Sequence, residues 1–509
     1  MSGLSVVGAA AGVSLLTGCS SQSVGSRVAD RHKDGILQVA VAAAPSNINP
    51  LDSGSEVTRW ISEPVVETLY MYDESLASVP LLADGEPVIS ADKLTWTIKV
   101  RTGITWQNGD PLTADDVVAT LAHVTDLSAG SEWITYFIGY VQSFAAVDQH
   151  TVAISLSKPY GLMRSHLTNL PIVHKDYVKS KNTMMGTGPY KLDSFVPGQS
   201  FTMTRYDGYH GTRPAFNGIT YTVLQDGTTR EVSLKQGTVD LITSVPFGDL
   251  TTLKSSEGVV VQITEAPLDI LTYVLIQEEP FSDDNFRKAV AVSMDRAGVV
   301  QKVFAGEATP GQGPIGPAEL GYDKTLQTFA AAPDYEQAKT LLAAATTTRR
   351  DFTLTIGTSQ VAKDVAQVLA AGWAQAGIQV RIEQLTGGPW SNKWLSRSYD
   401  MLMNLFQSGF TSGPANYLTL APADSTNVLS CGYKNPVVDA LIAEIWQTTD
   451  NAARSAALTK VNRILAEDAV IFPPAYPRLA IARRSELSPV DDTLLRASRI
   501  SPQTLHFTG

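Results

Sequence analysis

Cysteine is almost absent from this chain of 509 residues, in which only Cys19 and Cys431 occur. Two cysteines allow at most one disulfide, so a disulfide-stapled scaffold is excluded. No second cysteine or histidine stands near Cys431, and the seven histidines form no HxH or HExxH pattern. The sequence therefore predicts no metal site and no cofactor. Cys431 is interpreted as an inert buried thiol or a residue of a cleft wall.

Basic residues are in short supply. The 39 lysines and arginines are outnumbered by 50 aspartates and glutamates, which gives a formal net charge of −11. An acidic chain is a poor candidate for general nucleic-acid binding. A hydrophobic fraction of 44% with a charged fraction of 17% argues against disorder. At this length two or three lobes are expected.

Long hydrophobic runs are also missing, apart from one close to the start. The uncharged stretch Leu4–Gly18 is shorter than the ~20 residues that span a membrane, but it suits the core of a secretion signal. It ends in Leu16-Thr17-Gly18-Cys19, which resembles the bacterial lipobox. We therefore expect a signal peptide over residues 1–18, a lipidated Cys19, a polar tether over residues 19–35 and a position on the outer face of the cytoplasmic membrane.

An alternative interpretation of this N-terminus stays open. The first three residues carry no lysine or arginine, although export signals normally do. The stretch could then be an apolar N-terminus with an incidental cysteine.

Catalytic signatures are scarce. The chain has no GxSxG motif, no P-loop and no Rossmann fingerprint. SLSK at Ser155–Lys158 matches the SxxK motif of penicillin-binding proteins, but it ends an alternating strand, runs into Pro159 and is followed by no KTG. A cell-wall serine hydrolase or acyltransferase is therefore a distant alternative, and no catalytic residue is predicted.

The remaining pattern is that of an α/β protein. Alternating, β-branched segments predict strands at Ile36–Ala43, Leu94–Arg101 and Thr151–Ser157. Thr113, followed by two aspartates, predicts the start of a helix over Ala114–Val124. Further helices are predicted over Asp284–Asp295, Arg296–Gly306, Asp334–Ala345, Lys363–Gly377, Asn435–Thr449 and Asn451–Asp468.

Four segments resemble one known family in order and spacing. The strongest is LTWTIKVRTGITWQNGDPLTADDVVATL at Leu94–Leu121, and the others are GTGPYKLDSF at Gly186–Phe195, EPFSDDNFRKAVAVSMDRAGVVQKVFAGEATPGQGPI at Glu279–Ile315 and YKNPVVDALIAEI at Tyr433–Ile445. They resemble the extracytoplasmic solute-binding proteins of family 5 (cluster C), which serve peptide, nickel and related ABC importers. The resemblance extends from Ile36 to the end of the chain.

This resemblance implies an α/β, two-lobed periplasmic-binding-protein type II fold with an extra inserted subdomain and a hinge of two crossover segments. In chain order the implied division is lobe 1 at 36–78, the inserted subdomain at 79–185, lobe 1 again at 186–266, lobe 2 at 267–478 and the return to lobe 1 at 479–509. The crossovers are expected near 265–274 and 473–482.

The resemblance also implies that solute binds at the lobe edges, in segments that here correspond to 45–49, 132–137, 390–394 and 406–417. These segments are rich in aromatic residues, and we expect them to be Gly-, Ser- and Pro-bearing loops, which favours a cleft wall over core packing. The predicted ligand-binding residues are Asn47, Trp133, Tyr136, Trp390, Trp394, Phe406, Gln407, Phe410, Asn416 and Tyr417.

One departure from the peptide-binding members concerns an aspartate. Many of them carry GWxADYxDP, whose first aspartate pairs with the amino terminus of the peptide. Here Gly409 or Phe410 takes that position, and no acid lies between Asp400 and Asp424. A buried ammonium without a carboxylate partner would be costly. A free amino terminus is therefore bound elsewhere, through backbone carbonyls or another acid, of which Glu132 is the first candidate, or it is not recognised.

Together with the lipobox, the resemblance implies a binding lipoprotein of an ABC importer, monomeric, with the permease and the membrane as partners. A short peptide or peptide-like compound is the expected solute. A metal chelate such as a nickel complex, an opine or an oligosaccharide is the alternative.

Overall fold

The structure of the protein is a computed structural model. It describes residues 35–43, 47–52, 56–73, 77–266, 268–385, 387–407, 432–496 and 499–508.

Strands occur along the whole described chain. In chain order they are β1 (Ile36–Val41), β2 (Tyr70–Tyr72), β3 (Ser78–Pro80), β4 (Val88–Ile89), β5 (Thr95–Lys99), β6 (Val141–Asp148), β7 (Thr151–Leu156), β8 (Tyr190–Val196), β9 (Ser200–Arg205), β10 (Gly218–Val223), β11 (Leu241–Ile242), β12 (Val259–Thr264), β13 (Leu268–Val274), β14 (Ala308–Pro310), β15 (Asp351–Ile356), β16 (Gln379–Gln384), β17 (Met401–Gln407), β18 (Ala475–Pro477) and β19 (Leu479–Arg484).

Helices are concentrated in the second half. In chain order the α-helices are α1 (Glu56–Ser62), α2 (Ala114–Thr125), α3 (Ile134–Phe137), α4 (Met163–Asn169), α5 (Gly227–Lys235), α6 (Leu250–Lys254), α7 (Asp284–Val292), α8 (Arg296–Lys302), α9 (Tyr335–Ala344), α10 (Gln360–Gln375), α11 (Gly387–Leu395), α12 (Pro436–Gln447), α13 (Asn451–Glu467) and α14 (Asp492–Arg496). Short 3-10 turns lie at Leu127–Ala129, Phe247–Asp249 and Pro502–Thr504.

A seven-stranded sheet, the first sheet, has the strand order β12-β19-β11-β1-β10-β9-β8. β1 runs parallel to both of its neighbours, β10 and β11. β19 runs antiparallel to β11 and to β12, so β12 points the same way as β1. The carboxyl ends of β1, β10, β11 and β12 therefore lie at one edge of this sheet.

A four-stranded sheet, the second sheet, has the order β13-β17-β15-β16. β15 is parallel to β16 and to β17, whereas β13 is antiparallel to β17. The carboxyl ends of β15, β16 and β17 thus share an edge with the amino end of β13. Its two faces are covered differently, with Ile270 and Met403 in one apolar cluster and Leu271 and Leu402 in another.

The chain crosses twice between the first sheet and the part of the protein that holds the second sheet. β12 ends at Thr264 and β13 begins at Leu268, while β18 ends at Pro477 and β19 begins at Leu479. The first crossing leads from the carboxyl edge of the first sheet to the amino end of β13, so these two edges face each other. The second returns to the same edge of the first sheet from β18, which pairs with β14 in a separate two-stranded sheet. In α/β proteins such an edge is where ligands bind.

A third sheet, the inserted sheet, has the order β4-β5-β7-β6 and is antiparallel throughout. The part of the chain from β4 to α4 (88–169), which contains this sheet, is called the inserted unit. The side chain of Gln107, between β5 and α2, attaches the inserted unit to the first sheet. Its Nε2 donates to the carbonyl oxygens of Tyr190 at 2.6 Å, Gly188 at 3.0 Å and Val65 at 3.4 Å. The adjacent residues Asn108, Gly109 and Asp110 form an exposed turn. The contacts of Gln107 and this turn give the strongest family segment a structural role.

The predicted α/β class and fold are confirmed, with small shifts at the helix ends. The helix predicted after Thr113 begins at Ala114, where the Asp116 carboxylate accepts from the Thr113 backbone N–H at 2.9 Å. The helix predicted from Lys363 begins earlier, at Gln360, because Ser359 caps it by accepting from Ala362 N–H. Among the described residues, no helix combines the length and the apolarity that a membrane span requires.

Candidate functional site

A cavity of about 160 Å³ lies where the two sheets are joined. Val245 and Phe247 follow β11 on the first sheet, and Leu268 and Leu405 lie at the facing edge of the second. Its walls are largely apolar, which suits a water-excluding subsite. The lining residues are Ser244, Val245, Phe247, Leu268, Asp269, Phe304, Val361, Leu405, Pro477, Arg478, Leu479 and Ala480.

Asp269 is the acid at this cavity, and its carboxyl is buried. Burial and the neighbouring carboxyl of Glu319 raise the pKa of Asp269 well above its ordinary value. Two buried carboxyls in contact cannot both ionise, because like charges repel strongly in a medium of low polarity. Asp269 therefore presents a neutral acid, and the Oε2 of Glu319 accepts from Gly316 N–H at 2.7 Å.

Arg478 is the basic residue of this cavity, and its positive charge is paired with Glu307 and Glu265. Its Nη1 lies 3.1 Å from Oε2 of Glu307, and its Nη2 lies 3.4 Å from Oε1 of Glu265. The Arg478 and Lys254 cations, together with hydrogen bonds from both, lower the pKa of Glu307 despite its partial burial. Neither charged residue of the cavity wall is thus left as a free ion for a charged solute group.

The loop after β1 forms the next part of the edge, and it holds Asn47 in a tight turn. The Asn47 side-chain oxygen accepts from Asn49 N–H at 3.0 Å, and Asn49 Nδ2 donates to Val178 O at 2.8 Å. Trp133 closes this loop from the inserted unit, with Nε1 donating to Pro50 O at 2.9 Å. The structure therefore brings the predicted Asn47 and Trp133 to one loop, although Trp133 is only 5% exposed.

Tyr136 lies in the short helix α3, so the expectation of a loop was wrong here, and its ring stands beside that of Trp133 with centroids 5.9 Å apart. Burial raises the pKa of Tyr136, so its hydroxyl stays protonated. On its other side, at 4.7 Å between ring centroids, lies His166 of α4. Burial, assisted by the Arg454 cation, lowers the pKa of His166 to about 3, so the imidazole is neutral at ordinary pH.

Trp390 and Trp394 form a second aromatic pair, with ring centroids 5.2 Å apart at an interplanar angle of 68°. The expectation that they lie in a loop was wrong, because both are on α11, four residues apart and hence on one face. The ring of Trp394 is 5.8 Å from that of Tyr273 of β13. Trp390 is 8% exposed and belongs, with Trp133 and Tyr273, to one apolar cluster that extends from the first sheet to the second.

Two more of the predicted binding residues lie at the end of β17. Phe406 and Gln407 are the last residues of β17, opposite Asp269 and Leu268 of β13, which puts them at the cleft edge. Phe410, Asn416 and Tyr417 lie outside the described residues, as do Cys19, Gly409 and Cys431.

Sequence reasoning missed the cavity residues, in particular Phe247, Phe304 and Leu405. Phe247 and Leu405 lie in segments without a recognisable motif, and Phe304 lies in a family segment that gives no sign of a binding role. The available signal was topological, because parallel strands in one sheet put the residues that follow them at one edge.

The support for a metal site or for a catalytic serine is weak. Among the described residues, no group of three histidine, cysteine, aspartate or glutamate side chains could hold a metal ion. Ser155 lies within β7, paired with Thr95 of β5, and Lys158 stands 4.4 Å from the centroid of the Tyr140 ring. These positions are those of a strand residue and a surface cation.

Comparison with known proteins agrees with the fold. The chain matches bacterial extracellular solute-binding proteins, family 5 Middle, over residues 77–427. It is 23% identical over 476 residues to the glutathione-binding protein GsiB of Pectobacterium atrosepticum, covering 90% of this chain and 91% of that one.

Two solved structures are similar across most of their length. NikA from Brucella suis, in complex with Fe(III)-EDTA, gives a TM-score of 0.82 at 20% identity and covers 93% of this chain and 100% of its own. DppA from Helicobacter pylori, in complex with the peptide STSA, gives 0.80 at 19% identity and covers 94% and 99%.

Proposed function

The chain belongs to the bacterial extracellular solute-binding proteins of family 5, and we propose that it captures a short peptide or peptide-like solute between its two facing sheet edges. Hinge closure about the two crossovers traps the solute, which is then handed to the permease of an ABC importer. Members of this family bind and do not catalyse, so the hydrolase alternative is discarded. The chain is thus a binding component of an ABC transporter.

The lobes in this proposal follow the sheets. Lobe 1 comprises 36–78, 186–266 and 479–509 around the first sheet, with the inserted subdomain at 79–185, and lobe 2 comprises 267–478 around the second. The protein acts as a monomer that meets its permease from outside the membrane.

The observation that carries the proposal is the apolar cavity at the junction of the sheets. It is enclosed by residues from both sheets and from the second crossover, so an occupant touches both lobes. Because Asp269 is neutral and Arg478 is already paired, the occupant is held mainly by apolar contacts with Phe247, Phe304 and Leu268. We therefore infer that the buried end of the solute is apolar or uncharged, as in the side chain of a hydrophobic peptide.

A non-peptide solute is the second candidate. The similarity to NikA in complex with Fe(III)-EDTA favours a chelate of a metal, bound as a preformed complex by few protein groups. An opine or an oligosaccharide belongs to the same alternative.

Mass spectrometry of the purified protein tests the function. Denaturation releases what the protein carries, and a peptide mass in stoichiometric amount supports the proposal. A metal chelate, opine or sugar mass would favour the second candidate instead. Reduced glutathione and the peptide STSA, added in calorimetric titrations, serve as defined probes.

We expect Leu405→Asp to weaken binding of an apolar peptide at least tenfold, which is ~1.4 kcal/mol. Leu405 lines the cavity and is 42% exposed, so an aspartate there folds but places a charge against the apolar end of the solute. Leu405→Met is the control because it keeps the volume and the apolar surface. Equal affinities for the two variants, measured by calorimetry, would show that solute does not enter this cavity.

We also propose that Cys19 is lipidated and anchors the mature chain, with residues 1–18 removed. Cys19→Ala is then expected to move the protein from the membrane fraction into the medium or periplasm, because one buried acyl chain is worth ~0.8 kcal/mol per methylene. Cell fractionation with immunoblotting measures the shift. Membrane association that persists in the variant would favour the alternative of an incidental cysteine.

A further inference from the structure

A contact separate from the two crossovers connects the inserted unit to the helices α12 and α13. Gly161, between β7 and α4, donates its backbone N–H to Trp446 O at 2.6 Å. In return Gly161 O accepts from Nη2 of Arg454 at 2.7 Å. Trp446 belongs to α12 and Arg454 to α13, so each of these two helices forms a hydrogen bond with the backbone of Gly161.

Aromatic stacking extends this contact. The ring of Trp446 stacks on Tyr140 at 5.1 Å and on Tyr160 at 5.5 Å between centroids, with interplanar angles of 23° and 27°. Tyr140 and Tyr160 themselves stack at 4.1 Å. We call the set Tyr140, Tyr160, Gly161, Trp446 and Arg454 the latch.

The two sides of the latch are anchored in different units. On one side, the inserted unit is fastened to the first sheet through Gln107. On the other, the chain after α13 is tied to β13, where Thr272 Oγ1 donates to Phe472 O at 2.6 Å and Tyr273 bridges to Ile471. Rotation of the units about the crossovers must therefore break the latch.

The latch also reaches the predicted cleft wall. The Tyr160 hydroxyl donates to Tyr136 O at 2.8 Å, and the His166 ring lies 5.5 Å from Tyr160 and 4.7 Å from Tyr136. Trp446 is thus linked through Tyr160 to the backbone of Tyr136, which stands beside Trp133. Formation of the latch fixes the position of this wall.

Only glycine fits at position 161. A β-carbon there would overlap the carbonyl oxygen of Thr448, which lies in the turn between α12 and α13. The obstructing atoms are backbone, so a side chain at 161 cannot be accommodated while the turn is docked.

From these contacts we infer that the latch holds the closed form together and that Gly161 and Trp446 are positioning residues for solute capture. This inference rests on the hinge closure proposed above. It assigns part of the affinity to residues that touch neither the cavity nor its occupant, because opening must break two hydrogen bonds and a three-ring stack.

Small-angle X-ray scattering tests the latch without any solute. The variants are Gly161→Ala and Trp446→Leu, and the control is Gly357→Ala, whose new β-carbon meets no atom within 4 Å. All proteins are unfolded, dialysed and refolded first to remove bound solute. The latch contacts involve no solute, so we expect the refolded wild type to stay closed. Gly161→Ala and Trp446→Leu are then expected to have a larger radius of gyration than wild type, and the control is expected to show no change.

Circular dichroism separates opening from misfolding, because an opened protein keeps its secondary structure. Trp446→Leu inserts no extra atom, so it keeps the test decisive if Gly161→Ala folds poorly. Wild-type radii of gyration in a folded Trp446→Leu would overturn the inference.

Affinity provides the second readout. For whichever of reduced glutathione and STSA binds wild type, we expect Trp446→Leu to lose about tenfold or more in affinity, and unchanged affinity would count against the latch. Failure of both probes to bind wild type would count against the proposed peptide-like solute and leave the scattering result as it stands.

Discussion

Gly186→Ala is expected to destabilise the protein by about 3 kcal/mol or more, or to prevent folding. A β-carbon at Gly186 would overlap the carbonyl oxygen of Val65 and lie 3.0 Å from Val66 Cα. Both obstacles are backbone in the segment that follows α1, so relief requires that segment to move away from the first sheet. Urea unfolding followed by circular dichroism measures the loss.

The matched control is again Gly357→Ala. Its β-carbon meets open space, so we expect a change within about 0.5 kcal/mol. Comparable urea midpoints for Gly186→Ala and the control would mean that the close approach at Gly186 does not exist in the folded protein.

Gln107→Leu is the second substitution with a large expected effect. It keeps the side-chain volume but removes the Nε2 donor from the carbonyls of Tyr190, Gly188 and Val65, all in a buried setting. The Val65 carbonyl keeps a hydrogen bond from Gly188 N–H at 3.0 Å, so the carbonyls of Tyr190 and Gly188 are the ones that lose this donor. Leaving a buried carbonyl unpaired costs about 1–3 kcal/mol, so we expect a total loss of about 2–4 kcal/mol. Because this side chain fastens the inserted unit, that unit should also become more open to limited proteolysis.

Asn108→Ala provides the comparison at the adjacent position. Asn108 is exposed and hydrogen-bonds only within its own turn, to Asp110. We expect little change in stability and none in the proteolytic pattern. If Gln107→Leu behaves like Asn108→Ala, the attachment of the inserted unit must depend on its apolar packing alone.

These two positions show what the sequence could and could not reveal. Gly186 and Gln107 both lie in segments that identify the family, and the turn chemistry of NGD and GTGP was legible in the residues themselves. The sequence does not show which residues contact these two positions. Val65 is 121 positions from Gly186, and a close approach of two backbone segments changes neither composition nor periodicity.

The candidate site was predictable to a similar extent. The prediction that Trp390 and Trp394 line the cleft stays a prediction, whereas their i,i+4 spacing is typical of a helix face and agrees with their position on α11. Phe247 and Phe304 were missed because they converge only through the sheet topology. Local patterns therefore predicted the elements, and the long-range pairing of strands decided which residues meet.

The position of β19 in the first sheet has a consequence for biosynthesis. This strand, Leu479–Arg484, lies inside the sheet between β12 and β11, yet it is made more than 200 residues after both of these neighbours (479 − 264 = 215). Before it arrives, β12 pairs with no other strand of the first sheet, since its six cross-strand partners all belong to β19. In an exported protein, the emerging chain therefore cannot complete the first sheet until β19 has also reached the outside. A chain that ends before residue 479 would expose two open strand edges and would be prone to aggregate instead of folding.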